Sequence, residues 1–285
     1  MKVLAATDGS RYGRWAIEWL ARVPFNRPPV VRVLHVVDVG GLRAPFMIQP
    51  LVVGTARYLQ SEVKRMETMA RTTKRQASVL LASLGLNGKV VVDRGRVATT
   101  IVQHAKRSVG LLSIGWRGLD ALDRFMLGGT SNNVLHQAPC PVLVVKAAPR
   151  PLRRIVLAVD GSPASDRAAR FLLRHIEPNP AGLGRRPITV TVVHAVPTSK
   201  YPELRDAGAT GIQRYATQLG RSGFQVKEAV RMGKPADQIL TVAKQHKAEL
   251  IVTGATGVGA ISRVLLGSVS TRVVQHATCS VLVIR

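Results

Sequence analysis

A glycine-rich segment occurs twice in this chain at a fixed offset, each time directly after a run of aliphatic residues. Near the C-terminus, Gly254-Ala255-Thr256-Gly257 is followed by nine residues and then Gly267-Ser268. The other copy reads Gly115-Trp116-Arg117-Gly118, nine residues, then Gly128-Gly129, and it starts 139 positions earlier (254 − 115). Glycines at such spacing between a strand and a helix suggest a loop whose backbone N–H groups hold phosphates. A loop of this kind needs a strand before it and a helix after it. Having it twice makes the chain a duplication, with two sites of unequal quality.

The surrounding pattern agrees. In the first half, apolar runs predict strands over Lys2–Thr7, Val30–Val37, Lys89–Val92, Leu111–Ile114 and Pro141–Val145. Amphipathic segments predict helices over Arg11–Arg22, about Thr55–Leu84, Val97–Arg107 and Thr130–Gln137. The second half repeats this order. Its strands are expected over Ile155–Val159, Ile188–Val196, Gln225–Val230, Leu250–Thr253 and Ser280–Ile284. Its helices are expected over Ala164–His175, Pro202–Arg221, Pro235–His246 and Val269–His276. Near-continuous aliphatic strands alternating with helices point to parallel sheets covered on both faces. The fold class is therefore α/β, with two tandem doubly wound, five-stranded, Rossmann-like domains. The ligand of each belongs at the carboxyl ends of its strands. The boundary falls at Ala147-Ala148-Pro149-Arg150-Pro151, giving domains over 1–147 and 153–285. Two prolines in three residues make a short, stiff linker, so the halves should pack on each other.

The halves match at several further places. Asp8-Gly9-Ser10 corresponds to Asp160-Gly161-Ser162, and Leu34-His35-Val36 to Val193-His194-Ala195. Arg94-Gly95-Arg96-Val97-Ala98 corresponds to Met232-Gly233-Lys234-Pro235-Ala236. Ala138-Pro139-Cys140 and the strand after it correspond to Ala277-Thr278-Cys279 and the final strand. These blocks resemble the universal stress protein family in its tandem form, over nearly the whole sequence. The most specific element is Gly-x-x-Gly, nine residues, Gly-Ser, which the nucleotide-binding branch of that family uses to hold ATP. The Val-Asp-Gly-Ser at the end of the second half's first strand and the Cys-x-Val-Leu-Val-Ile ending are similar to that family as well.

The resemblance implies an adenine-nucleotide binder, ATP with Mg²⁺ as an optional companion, with a regulatory role in stress survival and no turnover chemistry. It also implies pairing of domains through their final strands, here between the two halves, and leaves a homodimer open. In the second half it assigns Gly254, Gly257, Gly267, Ser268, Val269 and Ser270 to the phosphate loop. Gly257 and Gly267 admit a phosphate where a Cβ would block it, and Ser268 either caps the helix or donates to a phosphate oxygen. Asp160 contacts the ribose or a divalent cation, while Ala158, Val159 and Ala195 bound the adenine. Carried to the first half, it assigns Thr7, Asp8, Val36, Gly115, Gly118, Gly128, Gly129 and Thr130. There Gly129 stands where Ser268 does and the hydroxyl is lost; Thr130 and Ser131 are candidate substitutes, and Arg117 is a candidate phosphate partner or a plain surface arginine.

Other features restrict the chemistry. Formal charge is +25, and splitting at residue 150 gives 22 − 8 = +14 and 19 − 8 = +11, so the excess is spread over both halves. Such a field attracts polyanions without sequence preference, and a basic architectural protein binding nucleic acid is the alternative function. Lys64, Arg65, Arg71, Lys74 and Arg75, with Arg57, form its most basic helix face, without interleaved aromatics for base stacking. His35 and His194 read as structural or pocket-lining groups, because no nucleophile or second acid–base group is placed beside them. Cys140 and Cys279 read as small buried residues, and no Cys-x-x-Cys or Cys/His cluster suggests a metal. A slow ATPase is the enzymatic alternative, against which stands the lack of an evident general base near the loop. No apolar stretch reaches the roughly 18 residues of a membrane span, and no signal peptide is expected, which places the chain in the cytoplasm. The apolar connection from Asp38 to Gly54 reads as a lid or a contact surface.

Overall fold

The computed structural model describes residues 1–38, 55–106, 108–118, 127–180, 186–196, 204–257 and 266–285. The first half contains β1 (Lys2–Ala6), α1 (Arg11–Arg22), β2 (Val30–Asp38), α2 (Thr55–Ser83), β3 (Gly88–Gly95), α3 (Val97–Ala105), β4 (Leu111–Gly115), α4 (Gly129–Gln137) and β5 (Val142–Val145). The second contains β6 (Arg154–Ala158), α5 (Pro163–His175), β7 (Thr189–Val196), α6 (Leu204–Arg221), β8 (Gln225–Met232), α7 (Pro235–Gln245), β9 (Leu250–Gly254), α8 (Ser268–His276) and β10 (Ser280–Ile284). The apolar connection over 39–54 lies outside the described residues, as does the side chain of Arg57. Among the described residues no helix is long and apolar enough to cross a membrane.

All ten strands join in one sheet, in the order β3-β2-β1-β4-β5-β10-β9-β6-β7-β8. Each half contributes five parallel strands, and β5 and β10 pair antiparallel, with Leu143 opposite Leu282. The expected pairing through the final strands therefore takes place within the chain and fuses two sheets into one. A second seam lies at the ends of α1 and α5. There Phe25 and Ile176 form an antiparallel bridge, Asn26 N donates to His175 O at 2.9 Å, and Glu177 N donates to Pro24 O at 2.8 Å.

The elements follow from local chemistry. Ser10 caps α1 by accepting from Gly13 N at 3.1 Å, and Ser162 caps α5 by accepting from Ser165 N at 3.3 Å. Pro163 then starts α5, where its missing N–H costs nothing. Central strands are buried on both faces: β4, β5 and β10 have no exposed position. The edge strands β3 and β8 run past the apolar segments expected for them, to Gly95 and Met232, because β2 and β7 supply backbone partners to their last residues. One aliphatic core lies between the sheet and α1, α2, α5 and α6, and the other between the sheet and α3, α4, α7 and α8. Each runs through both halves. Full burial of a Leu or Ile side chain contributes roughly 2 kcal/mol, so the shared cores and the β5–β10 seam tie the halves into one unit.

Candidate functional site

Within each half the chain leaves the first strand in opposite directions across the sheet, so a crevice opens at the carboxyl edge between β1 and β4, and again between β6 and β9. In the first half this crevice is a cavity of about 280 Å³. Thr7, Asp8, Val36, Gly115, Gly118, Gly128, Gly129 and Thr130 all line it, which brings together every first-half residue that the resemblance assigns to the nucleotide. Its apolar wall includes Leu34, Ile114, Val97, Ile101 and Val134. Val97 and Ile101 lacked a sequence signal beyond their i,i+4 spacing on the helix after a matched Gly-Arg/Lys turn. Leu34 is legible only through period 2 from Val36.

The acidic residue accepts from the equivalent backbone N–H in both halves, and in the second half from a serine hydroxyl as well. Asp160 Oδ1 accepts from Ser162 N at 3.0 Å and from Ser165 Oγ at 2.7 Å. Asp8 Oδ1 accepts from Ser10 N at 2.9 Å. The other carboxylate oxygen turns to the glycine loop. A Cβ on Gly257 would lie 2.5 Å from Asp160 Oδ2, and a Cβ on Gly118 would lie 2.6 Å from Asp8 Oδ2. The second glycine of each loop thus makes room for a carboxylate of its own chain. That adds a steric reason to the phosphate-approach reason expected from sequence.

The other glycines also answer to packing. Gly254 is not among the left-handed positions. A Cβ there would meet Ala164 Cβ at 2.6 Å, and one on Gly115 would meet Tyr12 at 2.8 Å, so α5 and α1 press directly on the strand ends. Glycine at 254 is thus required by close helix–strand approach. Gly267 N donates to Ala255 O at 2.7 Å and Gly128 N donates to Trp116 O at 3.0 Å. These bonds pinch both ends of each loop together, so that the helix start faces the crevice.

Gly267 is the cap residue of α8 and Ser268 its first helical residue, with no side-chain cap bond. The capping role considered for Ser268 is therefore not the one it takes; its side chain is exposed at the positive end of the helix. Val269 is half-buried beside it, and Ser270 is buried, its hydroxyl donating to Ala255 O at 2.9 Å. Ser131 is the same structural device, donating to Gly115 O at 2.7 Å. It does not stand in for the hydroxyl missing at Gly129. Thr130 is exposed at the start of α4.

Arg117 lines the cavity and lies over the ring of Trp116, its guanidinium carbon 4.2 Å from the centroid. Lys146 Nζ sits 4.1 Å from the same ring. Trp116 is buried, so the two residues between the glycines of the first-half loop form part of a cation–aromatic stack. Behind the crevices His35 Nδ1 lies 2.9 Å from Thr7 O, and His194 Nδ1 lies 2.8 Å from Val159 O. In each pair the carbonyl accepts, so the imidazole pins the turn that carries the aspartate. In the second half Ala158 ends β6, Val159 N donates to Val193 O at 2.9 Å, and Ala195 pairs with Arg231 near the end of β7. Burial pushes the thiols of Cys140 and Cys279 up to about 11, which leaves them inert at neutral pH. Among the described residues no group of three or more His, Cys, Asp or Glu side chains converges on a metal position.

Comparison with known proteins agrees with this geometry. The sequence model of the universal stress protein family matches residues 1–146 and again 151–285. A universal stress protein of Mycolicibacterium smegmatis is 31% identical over 301 residues, covering 99% of this chain and 96% of that protein. One from Mycobacterium tuberculosis is 26% identical over 312 residues, covering 99% and 94%. Among solved structures, a universal stress protein from Archaeoglobus fulgidus superposes with a TM-score of 0.71 at 19% identity, covering 100% of this chain and 96% of that one.

Proposed function

Given that the chain belongs to the universal stress protein family, we propose that it is a cytoplasmic, non-enzymatic regulatory protein that binds ATP in its second half. The observation that carries this reading is the Asp160–Gly257–Ser268 arrangement. A carboxylate anchored by Ser162 and Ser165 is lodged against the first turn of the loop, and an exposed hydroxyl stands at the start of α8. Backbone N–H groups at that helix end, the dipole behind them and Ser268 suit the phosphates. Ala158, Val159 and Ala195 suit the base. Asp160 suits ribose hydroxyls, or a Mg²⁺ carried in with the phosphates; this set fits such an ion only as a companion of the nucleotide.

The first-half cavity has the same floor and a weaker phosphate end, because Gly129 offers no hydroxyl. Lack of turnover is the reading best supported by the acidic residue: in both halves one carboxylate oxygen is committed to backbone or serine donors. The test is thermal melting with and without ATP and Mg²⁺, run beside a phosphate-release assay. A ligand at 100 times its Kd raises stability by about 2.7 kcal/mol. Stabilisation without steady phosphate release supports the proposal. Sustained release lost in Asp160→Ala would make the protein an ATPase, and no stabilisation at millimolar ATP would remove the nucleotide altogether.

A further inference from the structure

A second cavity, of about 690 Å³, opens between α1 and α2 in the first half. It lies on the opposite face of the sheet from the crevice, where α3 and α4 pack. Its counterpart between α5 and α6 measures only about 170 Å³. The two grooves correspond residue by residue. The capping serines Ser10 and Ser162 align α1 with α5, which sets Arg14 in the place of Asp166. The closing bonds Leu86 N to Leu81 O and Phe224 N to Leu219 O align α2 with α6. That sets Gln76, Ala77 and Leu80 in the places of Arg214, Tyr215 and Gln218.

In the second half the groove is filled by the chain itself. The Tyr215 ring is 2% exposed, and its hydroxyl donates to Asp166 Oδ1 at 2.6 Å. Arg214 Nη2 donates to the same carboxylate oxygen at 2.8 Å. Ring, carboxylate and guanidinium thus close the space. In the first half Ala77 removes the ring and Arg14 replaces the carboxylate by a cation. Arg75 adds a second cation to the lining, and Ile17 and Leu80 contribute apolar surface. What is missing, relative to the filled copy, is an aromatic ring; the charges at the α1 and α5 positions are exchanged, with Arg14 and Glu18 in the places of Asp166 and Arg170, and Arg75 is the added cation.

We propose that this cavity binds a small aromatic carboxylate, with its ring above Ala77 and its carboxylate on Arg14 and Arg75. The volume is in the range of small-molecule sites, a few hundred Å³. Charge complementarity selects an anion, and a guanidinium fork suits a carboxylate. Glu18 lies 3.7 Å from Arg14, whose own side chain is 61% exposed; a partly exposed i,i+4 pair of this kind is weak and easily displaced. The cavity shares Thr7 with the nucleotide crevice but is otherwise lined by Gly9, α1 and α2, and its test is run without nucleotide.

The experiment is calorimetric titration of phenylacetate, and of neutral benzyl alcohol, into the intact protein and into Ala77→Tyr, Arg14→Gln and Arg75→Gln, with thermal melting to verify folding. Phenylacetate is expected to bind at one site per chain, at least about tenfold more tightly than benzyl alcohol, a difference of about 1.4 kcal/mol. Ala77→Tyr, which rebuilds the second-half plug, is expected to abolish binding, and each arginine substitution to weaken it by about tenfold. Should Ala77→Tyr fail to fold, the two exposed arginine positions carry the test. Absence of saturable phenylacetate binding to the unmodified protein, equal affinity in Arg14→Gln and Arg75→Gln, or equal affinity for benzyl alcohol would overturn the proposal.

Discussion

Lys146 and Arg285 perform the same task for opposite halves. Lys146, just after β5, donates through Nζ to Val274 O at 2.7 Å and Gln275 O at 2.9 Å, at the end of α8. Arg285, just after β10, donates through Nη2 to Leu135 O and His136 O, at the end of α4. All three pairs of equivalent positions differ by 139 (285 − 146, 274 − 135, 275 − 136), the offset of the glycine loops. Each half thus supplies a cation that caps the last helix of the other, where unpaired carbonyls and the helix dipole favour positive charge. The last helix is also the one whose other end follows the glycine loop.

The reciprocal caps predict a pH signature. Burial, helped by the nearby charge of Arg117 and opposed by Cys279, pulls the Lys146 ammonium down from 10.5 to about 8. Above about pH 8 the folded chain then holds fewer protons at this position than the unfolded chain, so the lysine's contribution to stability rises with pH until about 10.5. The melting temperature of the unmodified protein minus that of Lys146→Met is expected to increase between pH 7 and pH 10. Lys146→Met removes a charge that lowers the Cys279 thiol, but that thiol is already pushed up to about 11 and stays protonated in both folded proteins over most of this range, so the difference reports chiefly the lysine. A difference that is flat or shrinks over that range would contradict the assignment.

The glycine loop predicts a second outcome. Gly257→Ala drives a methyl group against Asp160 Oδ2, so either the carboxylate or the loop must move. Overpacking of this kind costs about 1–3 kcal/mol. ATP affinity is expected to fall by more than about tenfold, which corresponds to 1.4 kcal/mol, while far-UV circular dichroism stays unchanged. Unaltered affinity would mean that the carboxylate takes no part in the site.

Much of this architecture was legible in sequence. The strand–helix order and the duplication follow from aliphatic runs and from a gapless offset, while the candidate residues rest on the family resemblance. Those signals are local or repeat-based, and burial of both sheet faces makes them strong. What the sequence left obscure depends on tertiary approach. Gly257 looks like any loop glycine until Asp160 is seen to occupy the space of its Cβ. Ser268 reads as a cap because serine favours that position, and only the placement of Gly267 moves it one residue into the helix. The plug of Tyr215 and the opening at Ala77 need the packing of two helices whose C-terminal ends had to be aligned first. The Lys146 and Arg285 caps join residues about 130 and 150 positions from their partners in the chain.

The unequal loops predict a gain of function. A Cβ on Gly129 meets nothing within 4 Å, and this residue is the first of α4, as Ser268 is of α8. Gly129→Ser is expected to strengthen nucleotide binding in the first half by about 10- to 100-fold, the value of a hydrogen bond to a charged group of roughly 1.5–3 kcal/mol. Equilibrium dialysis with ATP at concentrations that leave the unmodified first half empty would detect it as a second equivalent bound. No change would assign the weakness of this half to Trp116 and Arg117 instead.

The central claim, that the second-half crevice is the stronger ATP site, is tested most directly by calorimetric titration of ATP with Mg²⁺ into the unmodified protein and into Ser268→Ala combined with Gly257→Ala. The account predicts one tight site per chain in the first protein, and loss of that site with the fold retained in the second. Absence of binding to the unmodified protein, or a tight site of equal affinity that survives both substitutions, would contradict it.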